Sequence, residues 1–173
     1  KSNMADEKIV FATVGTTSFD RLVETLTNKP ILNVLERLGY TKLVIQIGRG
    51  NFEPEPFKKK GFALEFYRYK DSLRDDMSQA SLIISHAGAG CITESLSLNK
   101  KLIVVVNEKL MGNHQFELAK QLAMDEHLVY CICDDLKDVL EQKDLSSLKR
   151  FLPGEPKLFG NFLDDFMGVK SVK

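Results

Sequence analysis

A doubly wound α/β fold with a mainly parallel sheet is predicted by three features of this 173-residue chain. Apolar, β-branched runs of buried-strand type recur at Lys8 to Val14, Lys42 to Ile47 and Lys101 to Val106. The first and the last are followed by apolar residues at helical spacing, an alternation that builds strand–helix–strand units. Loops with small or hydrogen-bonding residues stand at the strand-to-helix junctions, around Gly15, His86 and Asn113. Such sheets bind ligands outside the carboxyl ends of their strands, so the three loops should open on one edge.

The elements follow in order. Lys8 to Val14 is the first strand, ending at Gly15-Thr16-Thr17-Ser18, and a helix from about Phe19 carries Leu22, Val23 and Leu26 on one face. That junction reads equally as a phosphate cradle or as a helix N-cap, for which Ser and Thr are also preferred. Pro30 opens a helix that Gly39 closes. Lys42 to Ile47 is the second strand, Pro54 and Pro56 mark a surface loop, and Phe62 to Tyr67 is the third strand. Asp71 or Ser72 caps a helix to about Ala80. A strand from Leu82 to Ile84 then runs into Ser85-His86-Ala87-Gly88-Ala89-Gly90 and a helix bearing Glu94. Lys101 to Val106 precedes a long loop and a helix from about His114 to Met124. A short strand near Leu128 to Cys131 and a helix capped by Asp134 or Asp135 follow, with another helix over Leu145 to Phe151. A last helix around 155–169 puts Phe159, Phe162, Leu163 and Phe166 on one side. One domain over 8–169 is expected, with Lys1-Ser2-Asn3 set aside as an appended remnant.

Lys plus Arg and Asp plus Glu both total 24, so no global field draws the chain to nucleic acid or an anionic membrane. The three cysteines are Cys91, Cys131 and Cys133; a lone CxC has no second pair to complete a zinc site, and a reducing compartment fits. No apolar run approaches the ~20 residues of a membrane span and no secretion signal opens the chain, which leads us to expect a cytosolic protein.

Missing motifs narrow the chemistry. There is no GxxxxGK[ST] phosphate loop, no full GxGxxG after the first strand, and no GxSxG elbow to supply a hydrolytic nucleophile. The run from His86 to Glu94 remains. Glycines at 88 and 90 let a backbone approach a ligand, a helix N-terminus favours an anion such as phosphate, and Glu94 is placed to accept from ribose hydroxyls. Asn113, His114 and Gln115 either cap a helix or bind sugar hydroxyls.

Five segments carry a family resemblance: Val14 to Asp20, Gln46 to Gly50, Tyr67 to Leu73, Ile84 to Gly90, and Asn107 to Met111 with His114-Gln115. They resemble the donor-binding subunits of the eukaryotic UDP-N-acetylglucosamine transferase that adds the second GlcNAc to the dolichol-linked oligosaccharide. These are similar to the Rossmann-like C-terminal half of GT-B glycosyltransferases, including the bacterial enzyme of peptidoglycan lipid synthesis.

The resemblance implies a set of contacts and partners. Gly88, Ala89 and Gly90 lie against the diphosphate, Glu94 holds the ribose, and Tyr69 and Lys70 flank the uracil. Gly15, Thr16 and Thr17 match a second phosphate loop, His86 a leaving-group stabiliser, and Asn113, His114 and Gln115 the sugar loop. It further implies inverting β-1,4 transfer from UDP-GlcNAc to GlcNAc-diphosphodolichol, with neither cofactor nor metal. No catalytic base is convincing in this chain. A membrane-anchored acceptor-binding subunit is expected to complete a heterodimer on the cytosolic face of the endoplasmic reticulum; the apolar face of the tail helix is read equally as its docking surface or as packing onto the chain's own domain. A nucleotide-sugar-binding scaffold without turnover is the alternative.

Overall fold

The computed structural model describes residues 6–110 and 114–150. The predicted tail helix around 155–169 and Asn113 lie outside the described residues. Seven strands form one sheet: β1 (Ile9–Thr13), β2 (Lys42–Gln46), β3 (Phe57–Lys59), β4 (Phe62–Tyr67), β5 (Leu82–His86), β6 (Leu102–Val105) and β7 (Val129–Cys131). Their order is β3-β4-β2-β1-β5-β6-β7, and every pairing is parallel except that of β3 with β4. The chain winds outward from β1 through β2 to β4, then crosses back to β5 on the other side of β1. The switch point therefore lies between β1 and β5, where a crevice opens at the carboxyl edge.

Six helices cover both faces: α1 (Asp20–Thr27), α2 (Lys29–Arg37), α3 (Arg74–Gln79), α4 (Ala89–Ser97), α5 (His114–Met124) and α6 (Leu136–Gln142). Because side chains alternate along a strand, Val10 and Ala12 join the core under α1, α2 and α6. Ile9 and Phe11 join the core under α3, α4 and α5. A strand buried on both faces has no polar side, which explains the unbroken apolar runs.

Local chemistry moves several boundaries. The helix expected to open at Pro30 begins at Lys29, because the Asn28 side chain accepts from the Ile31 N–H at 2.9 Å and caps it. β3 was not predicted: three residues beyond Pro56 fold back on β4 through Lys60-Gly61, with Gly61 at φ +87°. The strand expected as the third is thus β4. The helix expected from Asp71 or Ser72 starts only at Arg74, whose N–H bonds the Ser72 hydroxyl at 3.1 Å.

A turn of 3-10 helix, Cys133–Asp135, precedes α6, and no side chain caps that helix among the described residues. Asp134 instead pairs with Arg21 at 2.5 Å. Of the helix expected over Leu145 to Phe151, the described residues hold one 3-10 turn, Leu145–Ser147. There Asp144 accepts from the Ser146 N–H at 3.0 Å, a local bond that competes with helix propagation. Among the described residues no helix is long and apolar enough to cross a membrane.

Candidate donor site at the switch point

Two loops meet where the winding reverses. Gly15 follows β1 with φ +67°, a conformation that favours glycine, and His86 ends β5. A Cβ at Gly15 would stand 2.6 Å from His86 Nε2, and one at Gly88 would stand 2.5 Å from the same atom. The imidazole therefore fits only because both neighbours lack a side chain. Burial lowers the pKa of His86 to about 4, so the ring is neutral at physiological pH and holds a single N–H to donate.

Helix α4 starts beside this ring. Gly88 is its N-cap, at φ −84° and ψ 129°, and no side chain caps the helix among the described residues. Its first turn also holds no acidic residue. The N–H groups of Ala89, Gly90 and Cys91 thus precede the reach of intrahelical bonds, and the helix dipole leaves partial positive charge there. A Cβ at Gly90 would meet nothing within 4 Å. Glycine here weakens the helix by up to ~1 kcal/mol relative to alanine, and nothing within the described protein requires it.

Glu94 sits on the second turn of α4, half-buried, with its Oε1 4.0 Å from Arg74 Nη1 on α3. A pair at that separation between accessible side chains is weak, so the carboxylate keeps its capacity to accept. The loop from β4 to α3 leaves the same edge of the sheet. Tyr69 is 50% exposed, which leaves its ring free to stack. Lys70 differs: its Nζ donates to Asp76 Oδ2 at 2.9 Å and lies 4.3 Å from the centroid of the Tyr67 ring. Tyr67 in turn hydrogen-bonds Asp76. The Lys70 side chain anchors the loop to α3.

Under the loops lies a polar network that sequence reasoning missed. Gln46 is 2% exposed. Its side chain accepts from the Gly15 N–H at 2.9 Å and from the Thr13 hydroxyl. It donates at 2.7 Å to the carbonyls of Gly15 and Arg68. Arg68 holds the next turn, donating to the carbonyls of Gly48 at 3.0 Å and Gly50 at 2.8 Å. The only signal in the sequence is a lone amide closing an apolar strand. Thr17 Oγ1 donates to the Val14 carbonyl at 2.8 Å, which closes its own loop, whereas Thr16 is exposed.

A cavity of about 230 Å³ on the same edge lies between the start of α1 and the loop after β6, lined by Phe19, Asp20, Arg21, Asn107, Glu108 and Cys133 among others. The backbone of α5 begins at His114, as expected. Among the described residues no group of three or more His, Cys, Asp and Glu is arranged to hold a metal ion.

Residues 9–158 match the glycosyltransferase family 28 C-terminal domain. A mouse protein named UDP-N-acetylglucosamine transferase subunit ALG13 is 59% identical over 126 residues, which is 73% of this chain and 11% of that protein. The chain therefore spans about a tenth of the length of that relative. An NMR structure of ALG13 superposes with a TM-score of 0.70 at 23% identity, covering 94% of this chain and 97% of that one. The crystal structure of Acinetobacter baumannii MurG superposes with a TM-score of 0.61 at 19% identity, covering 94% of this chain and 51% of that one. Both superpositions speak to the fold.

Proposed function

The chain belongs to the glycosyltransferase family 28 C-terminal domains, and on that premise we propose that it is the donor-binding half of a UDP-N-acetylglucosamine transferase. The identity with the mouse transferase subunit supports the donor. The observation that carries the reading is the bare start of α4, with Gly90 open and His86 held between Gly15 and Gly88.

Each part of the nucleotide sugar has a counterpart. The diphosphate lies on the N–H groups of Ala89, Gly90 and Cys91 and beside Thr16, with the neutral ring of His86 donating one hydrogen bond. The ribose hydroxyls donate to Glu94. Uracil stacks near Tyr69 and reads main chain at Lys70. Asn113, His114 and Gln115 bind the sugar. As the bond to the anomeric carbon breaks, negative charge grows on the leaving UDP, and fixed donors stabilise that charge without having to reorganise. Donors of this kind are each worth ~10²–10³ in rate, so in this reading no metal is needed.

The acceptor is GlcNAc-diphosphodolichol, its hydroxyl attacks with inversion to form a β-1,4 linkage, and a general base takes the proton. That base belongs to a membrane-anchored partner subunit that recruits this chain to the cytosolic face of the endoplasmic reticulum.

The test is a transfer assay with UDP-GlcNAc and the lipid acceptor, run with and without the partner, together with NMR titration of the chain. Transfer only with the partner, and shifts of the amides of residues 88–91 on adding donor, are the expected results. Undisturbed amides in both states would end the reading. Nucleotide-dependent shifts without transfer by the assembled pair would favour a scaffold.

A further inference from the structure

Gln46 is a polar side chain closing a strand whose other buried members, Leu43, Val44 and Ile45, are apolar. All of its hydrogen-bonding capacity is directed at the ends of neighbouring strands. One amide group holds Gly15 by both its N–H (2.9 Å) and its C=O (2.7 Å), and holds Arg68 by its C=O (2.7 Å). Thr13, itself fully buried, fixes the amide by donating to its oxygen and also accepts the Gly15 N–H at 3.1 Å. The peptide groups on either side of Gly15 cannot turn without breaking these bonds, and φ +67° is set by them.

The two tethered points begin the two loops on either side of β2. Thr16 follows Gly15, and Tyr69 follows Arg68. A carboxamide is the one side chain that can serve here, since it must donate two hydrogens and accept from two groups at once. Glutamate lacks the hydrogens, and methionine matches the shape but bonds nothing.

We propose that Gln46 is a positioning residue that sets the spacing between the loop contacting the diphosphate and the loop contacting the base. This rests on the nucleotide-sugar reading above. An intact nucleotide needs both loops in register, whereas a fragment needs only one. Loss of Gln46 therefore costs most for the ligand that spans both.

The experiment titrates the full chain with UDP, uridine and inorganic pyrophosphate, comparing wild type, Gln46→Met, and Leu43→Ala as a destabilised control in the same strand. For Gln46→Met, UDP affinity is expected to fall about tenfold or more and that for each fragment less than about threefold. Leu43→Ala is expected to leave the ratio between UDP and its fragments unchanged. An equal loss for all three ligands, or the same pattern in Leu43→Ala, overturns the proposal as a mere effect of stability.

The side-chain NH2 resonances of Gln46 in the wild type give a second measurement should Gln46→Met not fold. They are expected to move with uridine and with pyrophosphate, and movement with only one or neither overturns the proposal. A wild type that ignores UDP sinks the nucleotide reading together with this one. A wild type and a Gln46→Met chain that bind UDP equally well sink the positioning role alone.

Discussion

The junctions after β1 and after β5 stand side by side at the switch point, and they are finished in opposite ways. After β1 the loop is satisfied from within: Gln46 and Thr13 hold Gly15, and Thr17 returns its hydroxyl to Val14. Helix α1 then carries Asp20 in its first turn, and that carboxylate accepts the Asn51 N–H at 3.1 Å. After β5, α4 opens on Gly88 with neither a capping side chain among the described residues nor an acid in its first turn. Both stretches read from composition as anion cradles. The difference teaches that small residues at a helix start do not by themselves leave that helix end open to an anion; what matters is whether the protein's own carboxylate already stands in its first turn, as Asp20 does in α1.

The most direct way to break the comparison is to give α4 what α1 has. Gly90→Asp introduces an acid where a Cβ has open space, so no packing is disturbed. An acid at a helix start contributes roughly 0.3–1 kcal/mol, so the melting temperature should hold or rise. UDP affinity by calorimetry should fall by about a hundredfold or more, because a fixed negative charge meets the diphosphate in a partly desolvated crevice. Unchanged affinity would remove α4 from the site. Gly90→Ala is the gentler version. It should stabilise the fold by up to ~1 kcal/mol while weakening UDP about tenfold, separating a residue kept for a ligand from one kept for the fold.

The contrast also explains what was legible in the sequence. The strands were, because β1, β5 and β6 are buried on both faces and admit almost no polar residue. So was the glycine-opened start of α4 after β5, where the small residues cluster. β3 was not, being three residues at a sheet edge with two lysines pointing to solvent, and Pro54 and Pro56 dominate the signal around it. The network around Gln46 was hidden for a different reason. Its meaning lies in bonds to Gly15, 31 positions away, and to Arg68, 22 positions away, and no local pattern encodes them. Lys70 adds a contact of the same kind, its side chain drawn to Asp76 by charge and to Tyr67 by its ring.

His86 belongs to both junctions, and its titration sharpens the comparison further. Its pKa is lowered to about 4 in the fold, against ~6.5 when unfolded, so between those values the unfolded chain binds more protons. The contribution is complete above pH 6.5 and is lost as the pH falls toward 4. We expect His86 to account for a loss of roughly 3 kcal/mol over that window. Denaturant melts of wild type and His86→Gln should diverge there, with the shallower slope in the variant. Parallel slopes would mean that the ring is solvated and not held between the two glycines.

The smallest effect is expected at α1. Asp20→Asn keeps an oxygen to accept the Asn51 N–H but removes the charge from the helix end. One carboxylate oxygen of Asp20 is buried without a partner among the described residues, so neutralising the group also relieves part of the cost of desolvating it. The two effects oppose each other, and the net change in stability should stay below ~1 kcal/mol. UDP affinity should stay within about twofold, since a carboxylate that already accepts the Asn51 N–H is not the group expected to meet the ligand at α4. A tenfold gain in affinity would mean that the α1 end also draws the diphosphate once its carboxylate is neutralised, and the two junctions would then form one anion site of which Asp20 is the gate.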